Sequence, residues 1–262
     1  MLPKIFKPIY IDNNDLIRIG SLNDGGYILS KDLTKNLNLL ISFGISDNWD
    51  FEKHIHKLTD CFIEAYDDSI NIDFWINRFK KDFIKFLCLK IFKPKKIFNM
   101  FKYLDFLIFF KKKGNNFYLR RIGNSYSADI PFSEIIAKHK NKKNIFLKID
   151  IEGAEYEILD EIKNYPDQIN GFAIEFHDLN NKMKKVESFI KNCEYYKLIH
   201  IHGNNLAIDE LRNPLTLEMT FCHTKFIDYF NKINNKEYPI SGLDFPNAKR
   251  AEDVILQFSD KD

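Results

Sequence analysis

Short apolar runs alternate with amphipathic stretches along most of this chain, and that alternation narrows the fold more than any other feature. Residues 39–44, 61–66, 117–122, 145–149, 171–176 and 197–201 read as strands, and helical spacing fills 133–140, 154–163 and 182–193 between the later ones. Near-continuous apolar strands separated by helices indicate βαβ units, that is, an α/β fold with a mostly parallel, doubly wound sheet covered on both faces. Two further strand candidates, 216–221 and 253–258, have no clear helix between them, which predicts an antiparallel edge pair. A chain of 262 residues can bury roughly 70–75% of its unfolded surface, so one domain over 1–262 needs neither disulfides nor metal to fold.

The four cysteines are scattered without a C-x-x-C pair or zinc spacing, which excludes a disulfide scaffold and favours a reducing compartment. The N-terminus shows no apolar signal core, and the longest apolar runs fall far short of the ~20 residues a membrane helix needs. The expectation is a soluble, cytoplasmic protein.

A formal net charge of +2 conceals an uneven distribution. Residues 74–113 hold twelve Lys and Arg against Asp82 and Asp105, a local charge of +10, and the remaining 27 basic and 35 acidic residues sum to −8. Trp75, Phe79, Phe83 and Phe86 or Leu87 recur at helical spacing; Pro94 interrupts, and Phe98, Phe101, Leu104 and Ile108 resume it. The segment therefore reads as an inserted basic helical hairpin. Its aromatic stripe can pack on the main domain while its lysines are solvated, or the hairpin can serve as a lid or docking surface for an anionic partner. The two readings are compatible. A lysine-rich hairpin alone does not indicate nucleic acid.

In an open α/β sheet ligands bind beyond the carboxyl ends of the strands, so those ends carry the chemistry. The first run ends in Ser42-Phe43-Gly44-Ile45-Ser46, whose small residues let backbone approach a ligand. The second ends in Tyr66-Asp67-Asp68, where a carboxylate can accept two ribose hydroxyls or merely cap a helix. The fourth ends in Asp150-Ile151-Glu152-Gly153-Ala154-Glu155, three acids and a glycine at a strand-to-helix turn, with Glu155 the natural helix cap. Glu175-Phe176-His177-Asp178 and His200-Ile201-His202-Gly203-Asn204-Asn205 end the next two. Alternation puts Glu175 with His177, and His200 with His202, on common faces.

These residues resemble the FkbM-type S-adenosylmethionine-dependent methyltransferases. The resemblance is carried by Asn23-Asp24-Gly25-Gly26-Tyr27, by Ser42 to Ser46 with Trp49 to Glu52, by Ala65-Tyr66-Asp67, and above all by Leu147-Lys148-Ile149-Asp150-Ile151-Glu152-Gly153-Ala154-Glu155-Tyr156-Glu157-Ile158-Leu159. Ile174 to His177 and His202 to Asn205 extend it, leaving 74–113 as the departure. What the resemblance implies is a Rossmann-like methyltransferase fold that moves a methyl group from S-adenosylmethionine to a hydroxyl. Phe43, Gly44, Ile45 and Ser46 would hold the cofactor's amino-acid part and Asp67 its ribose, with Gly26 closing nearby and residues 121–125 flanking the adenine. An alcohol acceptor needs a general base: His177 is the first candidate, oriented by Glu175, Asp150 or Glu152, and His202 the second. Asn204 and Asn205 would hold further hydroxyls. Alternatively, Asp150, Glu175 or His177, and His202 would bind a divalent metal that acidifies the hydroxyl. The implied acceptor is a sugar, nucleotide-linked or part of a surface polysaccharide; lysines of the insertion would meet a pyrophosphate or an anionic membrane carrying a lipid-linked acceptor. The aromatic hairpin is also a candidate homodimer surface. The competing reading is a metal-dependent glycosyl- or nucleotidyl-transferase built on Asp150 and Glu152.

Overall fold

The apolar runs become strands because each can be buried on both faces. The computed structural model describes residues 1–87, 101–227 and 234–259. In chain order the strands are β1 (Leu16–Gly20), β2 (Gly26–Ser30), β3 (Leu39–Phe43), β4 (Phe62–Tyr66), β5 (Asn115–Tyr118), β6 (Ile145–Ile149), β7 (Ile169–Phe176), β8 (Tyr196–Gly203) and β9 (Leu217–His223). The helices are α1 (Lys31–Lys35), α2 (Asp50–Thr59), α3 (Ile72–Leu87), α4 (Lys102–Phe110), α5 (Phe132–Lys138), α6 (Glu155–Ile162) and α7 (Leu179–Lys191).

Seven strands form one sheet in the order β5-β4-β3-β6-β7-β9-β8, and β1 and β2 form a separate antiparallel hairpin. The ladders β5–β4, β4–β3, β3–β6 and β6–β7 are parallel, whereas β9 runs antiparallel to both β7 and β8. Winding proceeds outward from β3 to β5 and then restarts at β6 on the other side, so the switch point lies between β3 and β6. A ligand crevice is expected at the carboxyl ends of those two strands. This is the doubly wound, Rossmann-like arrangement the sequence predicts.

The expected antiparallel edge is present as the β9–β8 pair, with residues 217–222 of β9 paired to β8 rather than to 253–258. Two expectations are corrected. Residues 253–258 form no strand and make only isolated bridges, Tyr238 with Leu256 and Leu2 with Phe258. The third run stops at Tyr118, and Leu119, Arg120 and Arg121 turn out to solvent.

The segment between β4 and β5 holds α3 and α4; Pro94 and Phe98 lie outside the described residues. Trp75 packs against Trp49 and Phe106, with ring centroids 6.3 and 5.4 Å apart, and Phe106 and Phe109 are buried. Arg78 pairs with Asp47. The expected aromatic stripe does not pack as a whole: Phe79, Phe83, Phe101, Leu104 and Ile108 are 43–66% exposed. The face that docks runs through Trp75 and Arg78 instead.

Cys61, Cys193 and Cys222 are buried and free. Among the described residues no helix is long and apolar enough to cross a membrane.

Candidate active site

Three strand ends are laced together at the switch point. Asp150 N–H donates to Phe43 O (2.9 Å) and Gly44 N–H to Tyr66 O (2.9 Å). Gly44 adopts φ +72°, and a Cβ there would run into the Asp150 carbonyl oxygen, so this turn requires glycine. Asp67 then closes it. One carboxylate oxygen accepts from Ile45 N (2.9 Å) and Ser46 N (2.7 Å), the other from Ser69 N (2.7 Å) and Ser69 Oγ (2.6 Å). These four bonds fill the acceptor sites of the carboxylate. Asp67 therefore shapes the turn, and a ribose hydroxyl would have to displace one of its partners. Exposed Asp68, next in sequence, lines the same cavity, a cleft of about 340 Å³ bounded also by Gly44, Ser46, Arg121, Asp150 and Glu152.

Of the sequence-assigned binding residues, Gly44, Ser46 and Asp67 line this cleft, and so do Arg121 and Ile122 from the segment expected to flank an adenine. Phe43, Ile45 and Gly26 do not. Phe43 and Ile45 are buried and contribute backbone only. Gly26 starts β2, where a Cβ would strike Ser21 O and the Arg18 guanidinium, so its small size serves the hairpin turn.

Beyond the cleft, β6 and β7 bring Asp150, Glu175 and His177 together, with one donor atom from each lying within 4.8 Å of the others. His177 is held from behind by Glu155, whose Oε1 accepts from His177 N (2.8 Å) and lies 3.2 Å from Nδ1. The Nε2 side faces Glu152 and Glu175 at 3.6 and 3.7 Å. Tyr156 OH fixes the His177 carbonyl at 2.5 Å. Burial opposes charge on the imidazole, but the Glu155 bond and the Glu175 and Asp150 carboxylates push its pKa up to about 9. Burial, with Asp150 and Glu218 nearby, holds the Glu175 carboxyl well above its ordinary range, and burial likewise raises Asp150. Lys148 is buried beneath, donating to Gly44 O and lying 3.6 Å from Asp150. Burial works against its ammonium, yet Asp150, Glu52, Glu175 and Asp67 outweigh it and raise the pKa.

Glu155 is thus more than a helix cap. Glu152, by contrast, sits at φ +52° with its side chain 87% exposed, and shares only the cleft wall with Asp150.

His202 does not join the cluster. Its Nδ1 lies 3.0 Å from Glu218 and its Nε2 3.0 Å from Asp253, leaving neither nitrogen for a base or a metal. His200 contacts Asp244 at 3.1 Å. Asn204 donates to Glu175 (2.8 Å), and Asn205 ties residues 248–252 to the end of β8, so neither asparagine is left to hold a sugar. Burial opposes charge on His202, but bonds to Asp253 and Glu218 push its pKa up to about 10. A folded pKa above the unfolded value of about 6.5 contributes stability that is complete below pH ~6.5 and is lost as pH rises through about 10. His202→Asn is expected to cost on the order of 3 kcal/mol at pH 6 and much less at pH 10, as read by denaturant unfolding at both values. An equal cost at both pH values would reject a charged His202.

Tyr27, in the quoted Gly25-Gly26-Tyr27 motif but not among the expected site residues, contributes a buried phenol whose OH has no hydrogen-bond partner among the described residues. Burial, then Asp150, Glu175 and Glu218, raise its pKa well above the ordinary value. Its absence from the expected site residues, like that of Lys148 and Glu218, reflects strands buried on both faces, where a polar residue inside an apolar run gives no sign of which face it meets.

Residues 112–196 match the model of the methyltransferase FkbM domain. No curated protein matches the sequence. Similar solved structures include a precorrin-6y C5,15-methyltransferase from Geobacter metallireducens, 9% identical over 82% of this chain and 98% of that one, TM-score 0.35. An rRNA methylase from Streptococcus thermophilus is 9% identical over 73% and 93%, TM-score 0.38, and a Methanococcus jannaschii fibrillarin is 12% identical over 72% and 68%, TM-score 0.34. These likenesses are distant, and the fold assignment rests on the strand order itself.

S-adenosylmethionine fits the donor set found here. Gly44 lets backbone approach closely, the carboxylates of Asp150 and Glu175 suit a cationic ligand, and the orphaned Tyr27 hydroxyl lies within the field of the same acids. The matched stretch, roughly a third of the chain, spans β6, the Asp150 turn, β7 and His177, and its similarity to the FkbM domain points to an S-adenosylmethionine-dependent methyltransferase.

Proposed function

We propose that the enzyme is an O-methyltransferase acting on a hydroxyl of a sugar, either nucleotide-linked or part of a surface polysaccharide, with His177 as the general base. The observation that carries this reading is the pairing of His177 Nδ1 with the buried Glu155, which leaves Nε2 directed toward Glu152 and Glu175, with Glu152 in the cleft wall. S-adenosylmethionine supplies an electrophilic methyl carbon; what the protein must add is alignment and a place for the acceptor's proton. Glu155 fixes the ring, and Nε2 receives the hydroxyl proton. The neighbouring carboxylates stabilise the imidazolium that results.

Calorimetric titration with S-adenosylhomocysteine, followed by methyl transfer to a panel of sugar nucleotides and isolated glycans, tests the reading. Micromolar cofactor binding with methylation of one sugar is expected. Cofactor binding with transfer only to amine or carbon acceptors would overturn the O-methyl assignment.

A second reading rests on one observation, the convergence of Asp150, Glu175 and His177 donor atoms within 4.8 Å. Two carboxylates and an imidazole backed by Glu155 form an acceptable set for a divalent ion, which would acidify the hydroxyl in place of a protein base. Activity that survives exhaustive chelation favours His177 as base; activity restored only by added Mg²⁺ or Mn²⁺ favours the ion.

A further inference from the structure

The α3–α4 hairpin turns its large apolar side chains the wrong way for a soluble appendage. On α3, Ile76, Phe79 and Phe83 follow helical spacing on one face and are 43–54% exposed, with the Phe79 and Phe83 rings stacked at 6.0 Å. On α4, Phe101, Leu104 and Ile108 do the same at 51–66%. The adjoining faces, turned to the domain, are already used, through Trp75, Phe106 and Phe109. Exposed lysines border these stripes: Lys80 on α3, and Lys111, Lys112 and Lys113 just past α4. The main opposing acid, Asp105, is turned inward onto Lys53 and the Trp49 indole.

We propose that the outer face of this hairpin docks on an anionic lipid surface. Bulky apolar groups rimmed by lysine are what an interfacial helix needs, the former entering the acyl boundary and the latter meeting lipid phosphates. Charge decides against a second copy of this chain, because the described exposed lysines of the hairpin, Lys80, Lys111, Lys112 and Lys113, would face their own kind. Aliphatic Ile76, Leu104 and Ile108 decide against nucleic acid, since they offer no ring to stack on bases. The docking surface is tied to the cofactor cleft. Arg78 on α3 and Lys102 on α4 both reach Asp47, the residue after Ser46 in the cleft wall, with Lys102 at 3.8 Å. Docking the hairpin would therefore hold the mouth of the cleft against the membrane, where an acceptor on a lipid carrier is presented. The lipid contact does not depend on which acceptor is methylated.

Sedimentation of the full-length protein with phosphatidylcholine vesicles, plain or doped with phosphatidylglycerol, tests this. Binding to the doped vesicles only, weakening as salt rises, is expected. Lys80→Ala with Lys112→Ala should weaken it about fivefold per lysine, and Phe79→Ser with Phe83→Ser about tenfold or more. Because these side chains are exposed, melting temperature and S-adenosylhomocysteine affinity should stay unchanged, which separates lost docking from lost folding or lost cofactor binding. Absence of vesicle binding, binding to plain vesicles unaffected by the lysine changes, or a dimer that the two serine changes dissociate would each overturn the proposal. Preferential binding to RNA that competes with vesicles would do the same.

Discussion

Replacing His177 with alanine is expected to lower kcat by about 10²–10⁴-fold, the usual contribution of a positioned general base, while S-adenosylhomocysteine affinity changes little. The split follows from the geometry. His177 stands beyond the cleft wall, beside Asp150 and Glu175, and is absent from the residues that line the cavity. A base works only when deprotonated, and the surrounding carboxylates hold its pKa at about 9 in the ligand-free enzyme. The profile of kcat/KM for the acceptor should therefore rise about tenfold per pH unit and level off near pH 9. A sulfonium cation beside the same carboxylates offsets part of their field, so the limb in kcat should lie at lower pH than the limb in kcat/KM. Glu155→Gln separates positioning from catalysis. It keeps an oxygen for the ring but removes a charge that raises the imidazole pKa, so the whole limb should move to lower pH with a smaller fall in kcat than in His177→Ala. Measuring both variants across pH 6–10 decides the matter: an alanine variant with undiminished kcat would remove His177 from the chemistry and leave the divalent-ion reading.

The parts of this site that could be read from sequence are those fixed by strand ends. Gly44, Asp67, Asp150, Glu175 and His177 each follow or close an apolar run, and a doubly wound sheet gathers such positions at one edge whatever the details of packing. What could not be read was which polar side chains would find partners first. His202 has the same strand-end placement as His177, yet β9 runs beside β8 and sets Glu218 opposite it, while residues 252–254 return to supply Asp253. That outcome depends on the order β7-β9-β8, which no local pattern encodes. Glu155 illustrates the reverse case. As the first residue of α6 it looks like a helix-terminus charge, and only the register of β7 brings His177 within its reach. The hairpin shows the limit of periodicity: Trp75, Phe79 and Phe83 lie on a helical repeat, but a repeat says which residues share a face, not whether the domain offers anything for that face to meet.

Asp67→Asn should have the largest effect on the fold of the site, and it tests how the turn after β3 is built. The carboxylate accepts four hydrogen bonds, from Ile45 N, Ser46 N, Ser69 N and Ser69 Oγ. Asparagine replaces one acceptor oxygen with a donor, so whichever way the amide turns, either the Ile45 and Ser46 amides or the Ser69 amide meets an N–H instead of an oxygen. Bonds to a charged acceptor contribute about 1.5–3 kcal/mol each, and a buried donor left unsatisfied adds its own cost. A destabilisation of about 3 kcal/mol is expected, together with a loss of cofactor affinity of roughly 100-fold as Gly44 and Ser46 leave their places in the cleft wall. Asp68→Asn provides the contrast, since that exposed side chain lines the cleft without a role in the turn. It should leave the unfolding transition in place and reduce affinity only if Asp68 meets the ligand directly. An Asp67→Asn protein that melts like the wild type while losing the cofactor would show that the turn stands without the carboxylate. Its oxygens would then be given over to the ribose, and the amide contacts would yield when the cofactor arrives.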